Sequence, residues 1–262
     1  MISVIIVVYK SKKILFNNFI KNLDKTHKLI IINNSKNYDF SNIKLPKNTK
    51  VLKTRNNGYA SALNLGLKHC KTRYAIISNI DISFEKSFFK RFNNISKKIK
   101  NFAVLIPNHK NKKLSGNFVE TYDGEAATLM VNVKKVLSLK FDENFFLYYE
   151  ETDLFHRCKL KNYKVLKVSK LKIKHRRSSS IQSDDDLKYI MKWHYMWSMF
   201  YYYKKNFDFF LALKKTYILI IKDIIKLIYY ILLFDKVNFK SRFYRLHGIF
   251  CSILGIKSYK RP

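Results

Sequence analysis

The chain has 262 residues, 47% of them hydrophobic, which is enough for one sizeable α/β domain with an appendage and excludes global disorder. Its 52 Lys and Arg against 18 Asp and Glu give a formal charge of +34 and direct attention to polyanions: nucleic acid, an anionic membrane surface or phosphorylated substrates. Three widely spaced cysteines, Cys70, Cys158 and Cys251, exclude a disulfide framework and a CxxC metal knuckle and fit a reducing cytoplasm.

The opening MISVIIVVYKSKK puts its apolar run before its charges and lacks a basic leader, so it reads as a buried first strand and not as a signal peptide. A helical pattern to about Asp24 follows, then KLIIIN, KVLK, a helix opening near Gly58, YAIISN, another helix and AVLIP. This alternation predicts an α/β fold with a largely parallel sheet covered on both faces. Ligands of such sheets sit beyond the carboxyl ends of the strands. The polar residues after each apolar run are therefore candidates: Tyr9 and Lys10, Asn33 to Ser35, Arg55 to Gly58, and Asn79 with Asp81. Four such ends in one crevice suit a nucleotide.

Asp81 closes the strand YAII, where a carboxylate can hold a hard divalent cation that neutralises nucleotide phosphates. A single Asp after a strand is more often a cap or turn residue. Farther on, FFLYYEETDLFHRC crowds Glu150, Glu151 and Asp153 behind five apolar or aromatic residues. In a helix, Glu150, Asp153, Leu154 and Arg157 share a face, Asp153 can pair with Arg157, and Glu151 points about 100° away from Glu150. Acids in a first turn also complement the helix dipole, which is the plainer account of the cluster. An apolar surround that raises a carboxyl pKa toward neutrality would instead suit a general base. His175 ends another strand-like run, where a ring nitrogen can complete a metal or diphosphate site, although a lone His is more often a surface or core residue. Arg176, Arg177 and Ser178 to Ser180 then offer phosphate contacts or simply a solvated loop.

Composition shifts after about Ser183, predicting a first domain over 1–183 and a basic, aromatic, helical region over 184–262. There Phe209, Leu213, Tyr217, Ile220, Ile224, Leu227, Ile228 and Ile231 follow steps of three and four, with Asp208, Lys215, Lys222 and Lys226 opposite. Lysines interrupt every window long enough to span a bilayer. The alternatives are a helix lying in the membrane interface or one packed on the protein.

With SVIIVVYKS, IIINNS, RNNGYASALNLGL, SNID, FDENFFLYYEETDLFHRC with KNYKV, and KHRRSSS in order over residues 2–180, the chain resembles the inverting family 2 glycosyltransferases of GT-A fold. The resemblance is strongest to rhamnosyltransferase-like members that build bacterial surface polysaccharides. It implies that Val8 and Tyr9 line a base pocket, with Asn33 and Ser35 near base and ribose. Arg55, Asn57 and Gly58 would form a loop on the nucleotide, Asn64 would open the following helix, and Asn79 would stand for the first acid of the DxD-like motif. Asp81 would hold Mg²⁺ or Mn²⁺ with His175 nearby. Glu151 falls where the family has its proposed base, Asp153 fits the second acid of that motif, and Glu150 and Tyr149 fall on the acceptor side. The partners implied are a nucleotide-sugar donor and a polyprenyl-diphosphate-linked glycan acceptor. The expected location is peripheral, on the anionic inner face of the cytoplasmic membrane, with no nucleic acid. The absence of a QxxRW motif favours a single sugar addition. A basic nucleic-acid-binding protein, suggested by MKWHYMWSMFYYYKK, and a glycoside hydrolase, suggested by the paired carboxylates, are the competing readings.

Overall fold

The structure is a computed structural model that describes residues 2–24, 26–109, 114–122, 127–175 and 185–262. It divides into two compact units: Met1–Asn57, Ser61–Phe141 and Leu154–Gln182 form the first, and Gly58–Ala60, Asp142–Asp153 and Ser183–Pro262 the second.

The first unit begins with β1 (Ser3–Val8), α1 (Lys13–Lys21), β2 (Lys28–Asn33), β3 (Thr49–Lys53), α2 (Tyr59–Lys68) and β4 (Tyr74–Ser78). The helix expected to reach Asp24 stops earlier, because the Asn22 side-chain amide folds back on the Asn18 carbonyl at 2.8 Å and closes the last turn. The strands are β-branched runs buried on both sides, so they need helices on both faces. Val4, Ile6 and Val8 join the core built with Leu15, Phe16 and Phe19 of α1. Ile5 points the other way, where α2 approaches so closely that a Cβ on Gly66 would lie 2.6 Å from the Ile5 Cγ2.

After β4 come β5 (Ile82–Phe84), α3 (Phe88–Lys98), β6 (Phe102–His109), β7 (Phe118–Glu120), β8 (Thr128–Asn132), α4 (Val133–Leu139), α5 (Glu150–Leu160) and β9 (Lys164–His175). The sheet order is β3-β2-β1-β4-β8-β6-β9-β5, with β7 pairing to β9. Strands β1 to β4 are mutually parallel as the alternation predicts, but β8 runs antiparallel to both β4 and β6, making the sheet mixed. Among the described residues no helix separates β6 from β8, so no crossover returns the chain in parallel.

The second unit is built on α6 (Asp185–Asn206), α7 (Phe209–Leu232) and α8 (Lys236–Ile253). Met196, Phe200, Ala212 and Ile249 form one buried cluster of these helices, and Trp193, Trp197 and Cys251 another. Helices α6 and α8 pack backbone to backbone at Gly248, whose Cβ would lie 2.3 Å from the Trp193 carbonyl oxygen. Asp208 caps α7 by accepting from the Leu211 N–H, and Asp235 caps α8 by accepting from the Asn238 N–H. Among the described residues no helix is long and apolar enough to cross a membrane.

Candidate functional site

In the first unit, parallel register sets Val8, Asn33 and Lys53 abreast at the carboxyl ends of β1, β2 and β3. The loops beyond them are tied together by side chains. The Lys10 N–H donates to the Ser35 Oγ at 2.7 Å from a left-handed backbone (φ 44), and the Ser35 N–H donates to the Asn33 Oδ1 at 2.9 Å. Asn34 bonds the Val8 carbonyl through its N–H at 2.9 Å, while its Oδ1 accepts from the Thr54 hydroxyl at 2.6 Å. Val8 and Asn33 are thus buried supports of this edge. Tyr9 and Ser35 are half-buried, and Arg55 and Asn57 are exposed, with the Asn57 N–H bonded to the Arg55 carbonyl at 2.8 Å.

Asp81 lies three residues beyond the end of β4 and is 6% exposed. Before it, the Asn79 N–H donates to the Ala127 carbonyl and fixes the turn. Strand β5 pairs antiparallel with β9 so that Ile82 faces His175. This register carries the His175 Nε2 to 3.1 Å from the Asp81 Oδ2, across 94 residues of sequence. The other carboxylate oxygen of Asp81, Oδ1, is buried with no hydrogen-bond partner. A buried, uncompensated carboxylate oxygen is costly unless something meets it. A hard oxygen beside an imidazole suits Mg²⁺ or Mn²⁺. Among the described residues no cluster of three or more His, Cys, Asp or Glu surrounds it, so phosphate oxygens and water would complete the shell. Arg176, Arg177, Ser178 to Ser180 and the expected boundary at Ser183 lie outside the described residues.

Asn64, expected to open a helix against the nucleotide, sits within α2, which opens at Tyr59. Its buried amide clamps Phe141, donating to the carbonyl at 2.9 Å and accepting from the N–H at 2.8 Å. Arg157 likewise donates to the carbonyls of Leu139 and Lys140. Both side chains fix the chain from Leu139 to Phe141 within the first unit.

The acidic segment begins in the second unit. Gly58 has φ +107, and a Cβ on it would lie 2.8 Å from the Phe146 Cα and carbonyl oxygen. The Tyr59 N–H donates to that carbonyl at 2.7 Å. Gly58 is therefore required for both its backbone conformation and the close approach. Phe146 stacks on His194, whose ring is pushed down to about 4 by burial and is therefore neutral. Tyr148 and Tyr149 both adopt left-handed backbone, φ 70 and φ 67. Two bulky residues in that region cost of order 1 kcal/mol or more each, strain that concentrates at functional sites. They are held by ring contacts with Tyr195 and Tyr202.

This strained turn launches α5, with Glu150, Glu151 and Asp153 in its first turn and Arg157 and Lys159 in its last, both favourable to the dipole. The three acids meet different surroundings. Asp153 is fully buried and accepts from the Lys205 Nζ at 2.6 Å and the Asn206 Nδ2 at 3.0 Å. Glu150, expected on the acceptor side, is 4% exposed, and its Oε2 has no hydrogen-bond partner. Burial, and then the charge of Glu151, push its carboxyl well above the ordinary value. Glu151 is half-buried. The proton that folded Glu150 retains is one the unfolded chain gives up above about pH 4.3. Stability from this group is thus complete below that pH and is lost as pH rises. Glu150→Gln is expected to raise the melting temperature at pH 8 and leave it nearly unchanged at pH 4, read by circular dichroism.

The sequence reading named Asp81, His175 and the three acids, but it missed the Asn64 clamp, the Lys205 and Asn206 partners of Asp153 and the left-handed tyrosines. An Asn inside the apolar helical run ASALNLGL was the available signal for the clamp. No signal marked the others, because each depends on contacts more than 50 residues apart or on backbone dihedrals.

A family model described as Glycosyl transferase family 2 matches residues 3–168. No curated protein matches the chain. Among solved structures, the chain is similar to GalNAc-T7, solved with UDP, GalNAc and Mn²⁺, at TM-score 0.60 and 12% identity, over 77% of this chain and 47% of that one. The chain therefore spans about half the length of GalNAc-T7. It is also similar to TarS 1–349 of S. aureus, solved with UDP-GlcNAc, at TM-score 0.52 and 14% identity over 97% and 92% of the two chains. A mannosyltransferase of Pyrobaculum calidifontis, solved with GDP-Man and Mn²⁺, aligns at TM-score 0.59 and 10% identity over 97% and 87%. At these identities the likeness concerns the GT-A fold.

Proposed function

The chain belongs to glycosyl transferase family 2, a nucleotide-sugar glycosyltransferase family, and from that premise we propose that it moves one sugar, with inversion, from a nucleotide-sugar donor to a hydroxyl of a lipid-linked glycan. The donor sugar is a hexose or a 6-deoxyhexose such as rhamnose, and the product serves bacterial surface polysaccharide synthesis at the inner face of the cytoplasmic membrane. The observation that carries the donor side is the Asp81–His175 pair with its buried, unpartnered Oδ1 at the carboxyl edge of the sheet. Tyr9, Asn33, Ser35, Arg55, Asn57 and Asn79 border that edge and would meet the nucleotide.

Asp81 and His175 would hold Mg²⁺ or Mn²⁺, which when bound neutralises the charge of the departing diphosphate. Glu151 takes the proton of the acceptor hydroxyl as its oxygen bonds to the anomeric carbon, and the bond from that carbon to the donor phosphate breaks, its electron pair leaving on the diphosphate. One displacement inverts the configuration. Asp153, buried and ion-paired, orders the start of α5, and the raised carboxyl of Glu150 limits the second charge beside Glu151.

The test is a panel of dTDP-rhamnose, UDP-hexoses, UDP-N-acetylhexosamines and GDP-sugars with Mg²⁺ or Mn²⁺ and a lipid-linked acceptor, reading nucleoside diphosphate release. Release from one donor that EDTA abolishes is expected. Neither binding nor turnover across the panel, with salt-sensitive binding to nucleic acid instead, would move the assignment to the basic nucleic-acid reading.

A further inference from the structure

Helix α7 is inverted relative to a helix that meets water. The residues it buries are small or polar: Ala212 and Thr216 are fully buried, and Asp223, 2% exposed, accepts from the Arg242 Nη1 at 2.9 Å and the Arg245 Nε at 2.7 Å of α8. Its large apolar residues point outward. At about 100° per residue, Phe210, Tyr217, Ile221, Ile225, Ile228 and Leu232 fall within an arc of roughly 80°. They are exposed, Ile225 by 61% and Leu232 by 72%. The apolar surface continues into the turn before α8, where Phe234 is 89% exposed on a left-handed backbone, φ 54. The face expected from sequence spacing lies partly inward, since Leu213 and Ile220 pack on the α6–α8 cluster. The exposed stripe is rotated away from it. The exposed Lys214 lies within the same arc, so the apolar surface is continuous from Tyr217 to Phe234, and a stripe of that length marks a docking surface.

We propose that this outward face of α7, with the turn into α8, docks onto an anionic phospholipid bilayer. Charge selects that occupant. Lys215, Lys222 and Lys226 are exposed and cluster on one flank of the helix, roughly 60–100° beyond the edge of the stripe, where they meet lipid phosphates when the Ile face is immersed. A second copy of the chain, itself carrying a formal charge of +34, would set like charge against like charge. Among the described residues no helix is long and apolar enough to cross a membrane, and the attachment proposed is interfacial. The proposal specifies the membrane contact of the function given above and is independent of its sugar-transfer part, since vesicle binding and donor turnover are separate readouts.

The experiment is flotation of the full chain with vesicles of phosphatidylcholine alone and of phosphatidylcholine with phosphatidylglycerol. The wild type is expected to float with the anionic vesicles, less so at high salt. Ile225→Glu/Ile228→Glu, both at exposed positions that leave the Asp223 ion pairs intact, is expected to stay behind. Lys215→Ser/Lys222→Ser/Lys226→Ser lowers partitioning onto anionic vesicles about a hundredfold, near fivefold per lysine, and removes most of its salt dependence. Circular dichroism checks that both variants fold. A wild type that does not float, or an Ile225→Glu/Ile228→Glu variant that floats equally, overturns the proposal. A dimer in sedimentation that the isoleucine variant dissociates, without vesicle binding, assigns the face to a second copy.

Discussion

Glu151→Gln is expected to slow sugar transfer by about 10²- to 10⁴-fold, or roughly 3–5 kcal/mol of barrier, while leaving donor affinity unchanged. Gln keeps the length and shape of Glu but cannot take a proton from an acceptor hydroxyl. The donor residues proposed at the strand edge, Asp81 and His175 among them, belong to the first compact unit, and Glu151 belongs to the second. Steady-state release of nucleoside diphosphate reads the loss, and titration calorimetry with the donor reads the retained affinity. Wild-type turnover in the variant would remove Glu151 as the base, and a parallel loss of donor binding would mean that its part is structural. Glu150 is the poorer candidate, because it is buried and its carboxyl is pushed well above the ordinary value by that burial and by the charge of Glu151.

Asp153→Ala is expected to cost about 3 kcal/mol of unfolding free energy, the low end for removing one member of a buried ion pair. The carboxylate is wholly buried, and the substitution strips a charged partner from Lys205 and leaves the Asn206 amide with an unmet donor. Two facts keep the loss at that low end: the Lys205 side chain is 27% exposed, and its Nζ also reaches the Asp142 carboxylate at 2.8 Å. Burial alone would raise the Asp142 carboxyl, yet Lys205 and the Asn144 N–H hold it below its ordinary value, so that pair persists. Urea unfolding followed by tryptophan fluorescence reads this unit selectively, since Trp193 and Trp197 both lie in it. A change below about 1 kcal/mol would place Asp153 among ordinary surface-like substitutions and deny it an ordering role.

Helix α7 illustrates the limit of periodicity. The spacing of Phe209, Leu213, Tyr217 and Ile220 predicts a helix over this stretch, and α7 spans Phe209–Leu232. Periodicity cannot say which side of a helix apolar over most of its circumference will be buried. Partners decide that: Arg242 and Arg245 on α8 draw Asp223 inward, and the isoleucines turn out.

The sequence by itself determined the strands, because runs such as SVIIVV and KLIIIN can be satisfied only in a sheet covered on both faces, and it marked the acids and the strand ends as candidates, since ligands of such sheets sit beyond their carboxyl ends. It also carried the family, since motif order along a chain needs no coordinates. Only the tertiary structure decided which groups meet. The β5–β9 register brings His175 to Asp81, the Asn64 amide closes on Phe141, and Lys205 reaches Asp153. It also decided that the Glu150 carboxyl is pushed up by burial while Asp153 stands ion-paired, three positions apart in the same helical turn. Those outcomes depend on burial and on partners distant in sequence, and local pattern contains neither.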